Sequence, residues 1–424
     1  VTVVGTFEAF GLGLHRDRAT RSARGGRASA IMLVTMQSSA MDHIRHLAGV
    51  IGPRGSTTPQ ERDASTYVRG RFEAAGLETR WEPFRAPVSG WLPFALAALT
   101  GLIGLVLISL DSRLAAGVAA LLMGVATASV FLEMYFRPNA LRVLVPKGDS
   151  QNVWARVPAA GKPTRRVVLV GHVDTHRTPW VFTSPARLAF FRVVTTLGVA
   201  AFVLGTLVFA AIATFDIGAL RGWSLSLAPV FLVVLALTVQ PDRTPFTQGA
   251  NDNASGAAIV VSLAERLARE PLPRTEVWAL ATGCEEVGSY GAQAFLRRHA
   301  AALPGLYAIS IDNVGGRGAG VCHTSVEGMV FPLRPAPELV AAAERVALAR
   351  PELGAYALPY TTLHTDATAF MSRGVPSLSF VGLTPAGVLP DWHQVSDTLE
   401  RVDADTVERT EAFVLALLRD FDAS

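Results

Sequence analysis

Apolar positions recur at helical spacing from Met41 through Ile44, Leu47 and Ile51, and again from about Thr58 to Ala75 after the turn Gly52-Pro53-Arg54-Gly55. Glu78 to Phe84 reads as a strand. The pattern then changes. Trp91 to Leu110 and Leu114 to Leu132 are runs of about 20 residues without a charge, the length that crosses a bilayer, and Asp111-Ser112-Arg113 separates them. Asn152 to Val157 and Arg166 to Val170 return to strand character. A second pair of uncharged runs follows, Val193 to Phe215 and Gly222 to Gln240, joined by a loop holding Asp216 and Arg221.

From Gln248 onward helix and strand alternate. Helices are predicted over 253–269, 289–299, 337–349 and 404–421, and strands over 275–281, 306–311 and 376–381. Such alternation predicts an α/β fold, a mainly parallel mixed sheet flanked by helices, here interrupted by two transmembrane helical hairpins. The soluble domain is expected in three pieces, 41–90, 137–186 and 242–424, with the hairpins at 91–136 and 187–241. An even number of spans in each insertion returns the chain to the side it left, so the three pieces can assemble on one face.

Composition supports this division. Half of the residues are apolar and only 17% are charged, too apolar for an ordinary soluble protein of this length. The net charge of +3 comes from scattered Arg with no dense basic run, which excludes a nucleic-acid binder and leaves the lipid bilayer as the expected partner surface. Cys284 and Cys322 are the only cysteines, so neither a disulfide framework nor a cysteine-rich zinc module is possible. Residues 1–40 are rich in Arg, Gly and Ala and lack the apolar core of a secretory signal. With Met36 and Met41 just before the first helix, they are expected to be disordered or an over-extended start. Arg80, Arg85, Arg137, Arg142, Lys147, Arg177, Arg187, Arg192 and Arg243 flank the spans on the soluble side, against Arg113 and Arg221 at the tips, which predicts a soluble domain on the cytoplasmic face.

In open parallel sheets, sites form at the carboxyl ends of strands. There the sequence is rich in imidazole and carboxylate: Gly171-His172-Val173-Asp174 follows one strand, Cys284-Glu285-Glu286 another, and Asp312 a third, while Asp391-Trp392-His393 stands near the last. Asp252-Asn253-Ala254-Ser255-Gly256 opens a helix between the first two. Taken singly, each has a plain structural account: a hydrogen-bonded histidine, a helix N-cap, a solvated turn. Two histidines and several carboxylates at successive strand ends, however, match what a two-cation hydrolytic site needs. Imidazole and carboxylate both suit Zn²⁺, one carboxylate can bridge two ions, and a neighbouring carboxylate can move the water's proton.

The order Gly-His-x-Asp, Asp-Asn-Ala-Ser-Gly, Glu-Glu-x-Gly, a strand-end Asp, then Trp-His-x-x-x-Asp-Thr resembles the dizinc exopeptidases of metallopeptidase family 28, which include aminopeptidases and glutamate carboxypeptidases. The resemblance implies two zinc ions and peptide substrates. It implies His172 as a ligand of one ion, Asp252 as the bridging carboxylate, Glu286 and Asp312 as one further ligand for each ion, and His393 as the last. Glu285 is implied as general base and Asp174 as the residue that orients His172, with Asp397 capping the closing region. His364-Thr365-Asp366-Ala367 resembles a substrate-proximal stretch of the family in which a histidine usually stands where this chain has Ala367. Asp366, His364 and Tyr360 are carried as substrate or oxyanion candidates, Asp366 also as the reserve ligand for Asp312. His176, His299 and His323 are read as structural.

Insertion 187–241 separates His172 from Asp252 in sequence without requiring separation in space, so the site is expected close to the bilayer, with a preference for peptides delivered from it. The function expected is a membrane-anchored zinc exopeptidase, most simply an aminopeptidase. The alternatives are an inactive peptidase-like receptor or scaffold and a related two-metal amidohydrolase. A transporter is disfavoured because no Asp, Glu, Lys or Arg lies within the four runs.

Overall fold

Strands that alternate with helices can pair in parallel only if each connection crosses back over a face of the sheet, and this is the arrangement in the computed structural model, which describes residues 39–424. The expectation for the leading segment falls outside the described residues.

A helix α1 (Ala40–Ile44), capped by Ser39, runs on to Ile51, and α2 (Pro59–Ala74) starts from Thr58 with proline in its first turn. Then come β1 (Glu78–Pro87), the apolar pair α3 (Leu92–Ser109) and α4 (Arg113–Met134), β2 (Lys147–Val157) and β3 (Arg165–His172). The second apolar block is α5 (Pro185–Phe215), α6 (Gly218–Ser224) and α7 (Ala228–Val239). The remainder is α8 (Gly256–Arg269), β4 (Thr275–Thr282), α9 (Tyr290–Arg298), β5 (Leu306–Asp312), β6 (Cys322–Glu327), α10 (Pro337–Ala349), β7 (Tyr356–Tyr360), α11 (Asp366–Met371), β8 (Ser377–Val381) and α12 (Ala404–Ala423).

The eight strands form one sheet in the order β1-β2-β4-β3-β5-β8-β6-β7. Its centre, β4-β3-β5-β8, is parallel, and β1, β2 and the β6–β8 contact are antiparallel. Period-two alternation divides the central strands between two cores. Val167 and Leu169 of β3 face α1, α2, α8, α10 and α12, while Val168 and Val170 face α9 and α11.

Among the described residues, four helical stretches are long and apolar enough to cross a membrane: Leu92–Ser109, Arg113–Met134, Pro185–Phe215 and Gly218–Arg243. They pack through small residues: a Cβ at Gly104 would lie 2.9 Å from the Phe209 ring, and one at Gly205 3.1 Å from Met123 Cε. At the far tip Arg221 donates to the Ile108 and Leu110 carbonyls and to Asp216, and so ties the two hairpins together.

Three details differ from the sequence reading. Helix α5 begins at Pro185, eight residues before the uncharged run from Val193, because Ser184 accepts from the Arg187 N–H and caps about two further turns. The fourth apolar run is broken into α6 and α7 just before Pro229, which has no N–H to continue the ladder. Strands β6 and β7 were not expected: β6 is mostly polar, and β7 contains Pro359, which a sheet tolerates because β7 is its edge strand.

Candidate metal centre

The polar residues that follow the strands meet at one point. His172 ends β3, and its Nδ1 lies 3.1 Å from the Asp174 carbonyl, which can only accept, so Nδ1 carries a proton and Nε2 is the ring nitrogen turned to the cluster. That Nε2 is 3.4 Å from Asp252 Oδ1, 3.5 Å from Asp312 Oδ1 and 3.9 Å from Glu285 Oε2. Opposite, His393 Nε2 is 3.1 Å from Asp252 Oδ2 and 3.3 Å from Glu286 Oε2. Asp252 therefore lies between the two histidines with one oxygen toward each.

Each loop is held by groups distant in sequence. The Asp397 carboxylate accepts from the Asn251 N–H (2.7 Å) and the Asp252 N–H (3.0 Å), so it fixes the Asp252 loop rather than capping the closing region. Asp252 is no N-cap either; Asn253 Oδ1 accepts from the Gly256 N–H at the start of α8 while its amide donates to the Ile311 carbonyl. Gly256 is required there, since a Cβ would lie 2.0 Å from that carbonyl oxygen. Asp174 accepts from Ser56 Oγ (2.6 Å), the Glu285 N–H (3.1 Å) and the Glu286 N–H (3.2 Å), and its Oδ1 is 3.5 Å from His172 Nδ1. Its side chain thus positions the two glutamates as well as flanking His172. Cys284, Asn313 and His393 adopt left-handed backbone, an unfavourable choice for such residues that recurs at functional loops. At Cys284 the conformation is held by Glu61, which accepts its N–H at 2.8 Å.

Carboxylates are crowded here with little positive charge. Burial pushes Glu285 and Glu286 well above the usual carboxylate range, with neighbouring acids adding to the effect and His172 opposing it. Burial likewise raises Asp312, and lifts Asp366 and Asp397 to about 7. At Asp252 burial pushes upward too, but the facing His172 and His393 imidazoles outweigh it and hold this carboxylate below its usual range. Arg54, lowered to about 10 by burial, is the enclosed cation nearby.

This donor set fits divalent cations. Asp252 Oδ2 and Glu286 Oε1 are buried acceptors with no hydrogen-bond donor. The ligand atoms of His172, Asp252 and Asp312 lie within 4.8 Å of one another, as do those of His176, Glu286 and His393. His176 is the weaker member of its group: its Nδ1 donates to the Arg177 carbonyl and its Nε2 faces the Trp91 indole N–H at 3.4 Å. Its ring stacks on His393 at 3.7 Å, so it packs behind a candidate ligand, and Asp252 Oδ2 is the better third partner for His393 and Glu286.

The structure thus gathers His172, Asp252, Glu285, Glu286, Asp312 and His393, with Asp174 behind them. Tyr360 and His364 line the adjoining cavity, where burial raises the phenol and lowers His364 to about 4. Asp366 accepts from Thr282 Oγ1 and belongs to neither group of candidate ligand atoms. Ala367 is fully buried in α11. His299 pairs with Glu82 beneath the Trp154 and Trp278 rings, and His323 is buried near Phe380, both remote from the cluster. Sequence reasoning missed Arg54, Ser56 and Glu61 and passed over His176. Arg54 sat in what read as an ordinary Gly-Pro turn, and nothing local marks it as buried.

Residues 235–418 match the family described as Peptidase family M28. No curated protein matches the chain. Among solved structures, a glutaminyl cyclase from Fimbriiglobus ruber is similar with a TM-score of 0.53 at 17% identity, covering 94% of this chain and 99% of that one. A zinc aminopeptidase from Bacillus subtilis is similar with a TM-score of 0.53 at 14% identity, covering 89% and 93% respectively. An aminopeptidase from Aneurinibacillus sp. strain AM-1 is similar with a TM-score of 0.52 at 14% identity, covering 92% and 94%. At these identities the likeness is one of fold.

Proposed function

We propose, from the match of residues 235–418 to peptidase family M28, that the chain is a zinc-dependent exopeptidase, acting as an aminopeptidase and anchored in a membrane by its four apolar stretches. The observation that carries this reading is Asp252 between two histidines, one oxygen toward each. His172, Asp312 and Asp252 would hold one zinc ion, and His393, Glu286 and Asp252 a second. Zinc bound there supplies Lewis acidity, polarising an amide carbonyl and making a nearby water more acidic.

Glu285 belongs to neither group of candidate ligand atoms yet reaches within 3.9 Å of His172 Nε2. Ser289 Oγ donates to its Oε1 at 3.1 Å, which leaves Oε2 toward the cluster. Enclosed by protein, its carboxylate has a raised proton affinity, suited to taking a proton from the attacking water and returning it to the leaving amine. Tyr360, whose phenol burial keeps protonated, is the proposed donor to the developing oxyanion, with His364 beside it in the cavity wall.

Membrane anchoring is supported by the belt of large apolar side chains that the four stretches leave exposed, among them Val106, Leu121, Leu207 and Leu232. The excess of Arg on the soluble side supports a cytoplasmic site.

The test is metal content and amino-acid release from a peptide mixture, for detergent-purified wild type and Glu285→Gln. We expect zinc in both proteins and a loss of about 10²–10⁴ in kcat for the variant. Peptides with N-terminal glutamine belong in the mixture, because conversion to pyroglutamyl peptides without hydrolysis would overturn the exopeptidase reading in favour of acyl transfer. No zinc, or no reaction of any peptide, would favour a scaffold.

A further inference from the structure

The cavity that contains the cluster does not end at the cluster. It has a volume of about 230 Å³. One end is walled by Asp252, Glu285, Glu286 and His393, and the other by Phe94 of α3, Val130 of α4, Val199 of α5 and Val234 of α7, so that every apolar stretch contributes a wall. Besides the Thr195 hydroxyl, the polar side chains at that second end, Thr238 and Glu133, already have partners. Thr238 Oγ1 donates to the Val234 carbonyl of its own helix. Glu133 is saturated by Tyr290, Arg142 and Asn139. At Gly198 a Cβ would already lie 3.1 Å from Val234, so the missing side chain helps keep this end open.

A peptide main chain is a poor occupant for such a space, because each residue would bring an N–H and a C=O that find no partner. A hydrocarbon chain brings neither. We propose that this end of the cavity is a tail site, and that the preferred substrate is an amphiphilic amide whose scissile bond lies at the cluster while an aliphatic chain on one side of that bond lies among the four helices. The proposal rests on the hydrolase and membrane readings above. The reaction remains amide hydrolysis: water adds to the carbonyl carbon, the C–N bond breaks, the acyl product leaves as a carboxylate, and Glu285 delivers the proton to the amine.

Partitioning alone makes long-chain probes look better in any membrane preparation, so the test compares variants on the same probes. Full-length protein in nanodiscs is assayed with acetyl-leucine against dodecanoyl-leucine, and with leucine ethylamide against leucine dodecylamide. Val199→Trp fills the tail end. Leu204→Trp alters the same helix at an exposed position, 41% accessible and outside the cavity wall. We expect Val199→Trp to lower the long-to-short ratio of kcat/KM about 10-fold or more in whichever series is turned over, and Leu204→Trp to leave it unchanged. Equal ratios in all three proteins, with short substrates still cleaved, would overturn the tail site and leave the exopeptidase reading intact.

A second readout does not depend on turnover. Dodecanoyl-leucine carrying a terminal diazirine should label Val194, Val199 or Val234, and unlabelled dodecanoyl-leucine but not acetyl-leucine should compete. Labelling confined to exposed positions such as Leu197, Leu204 and Leu232, in the pattern given by a diazirine alkane without the amide, would overturn the proposal even if no substrate is cleaved.

Discussion

At the sheet edge one buried guanidinium, Arg54, donates to the carbonyls of Leu47, Gly52, Val173, Gln248 and Gly249, and so joins the first helical segment to the loops that carry His172 and Asp252. In the helical bundle the polar contact between α4 and α5 is a threonine pair: Thr127 donates to the Phe202 carbonyl at 3.0 Å and meets Thr206 Oγ1 at 2.8 Å, and Thr206 lies 3.5 Å from the Met123 carbonyl. The first region spends side chains on satisfying backbone groups, because its loops leave regular structure. The second satisfies its backbone within each helix and is held by small-residue packing. Each region is therefore vulnerable in its own way: the edge to the loss of a single polar group, the bundle to the gain of one.

The edge side of this contrast breaks hardest at Arg54. Arg54→Met would remove a donor from five carbonyls, of which only those of Leu47 and Gly249 keep a backbone N–H, and would remove a buried cation that favours the charged forms of Asp174, Asp252, Glu286 and Asp397. A loss of about 3–5 kcal/mol in unfolding free energy is expected, seen as a lowered midpoint in detergent. A variant as stable as wild type would mean that the carbonyls find other donors and that the contrast is overdrawn.

The bundle side is probed by adding a charge. Leu121 lies near the middle of α4 and is 66% accessible. In water, Leu121→Arg would be neutral to within about 0.5 kcal/mol. In a bilayer it is expected to disfavour insertion by about 2.5–3.5 kcal/mol, measured as the inserted fraction in a glycosylation-mapping assay. Unchanged insertion would remove the membrane from the comparison.

Legibility in the sequence follows the same division. The four apolar stretches are plain because about 20 uncharged residues in a row are conspicuous in any sequence. His172, Glu285, Glu286 and Asp312 were visible because each stands at or just after an apolar strand, where a polar residue is conspicuous, and Asp252 because it opens a helix after a glycine turn. Arg54, Glu61 and His176 were not visible, because their burial is created by segments far away in sequence: Glu61 meets Cys284, and His176 meets Trp91 and His393. Strand β7 was hidden by Pro359, whose acceptability depends on its edge position and so on the whole sheet order.

The smallest of these effects falls on Asp174, whose carboxylate serves two masters at the edge: His172 Nδ1 at 3.5 Å, and the N–H groups of Glu285 and Glu286 at 3.1 and 3.2 Å. Asp174→Asn keeps the shape, removes the charge and turns an amide N–H₂ toward one of these donors. If the residue acts mainly through His172, zinc affinity should fall about 10–100-fold while kcat of the zinc-saturated protein changes little. If it acts mainly through the Glu285 loop, kcat should fall by a similar factor with zinc affinity retained. The geometry favours the second outcome. Both glutamate N–H groups are within hydrogen-bonding distance of Asp174, whereas His172 Nδ1 already has the Asp174 carbonyl at 3.1 Å and so keeps its orientation when the side chain changes.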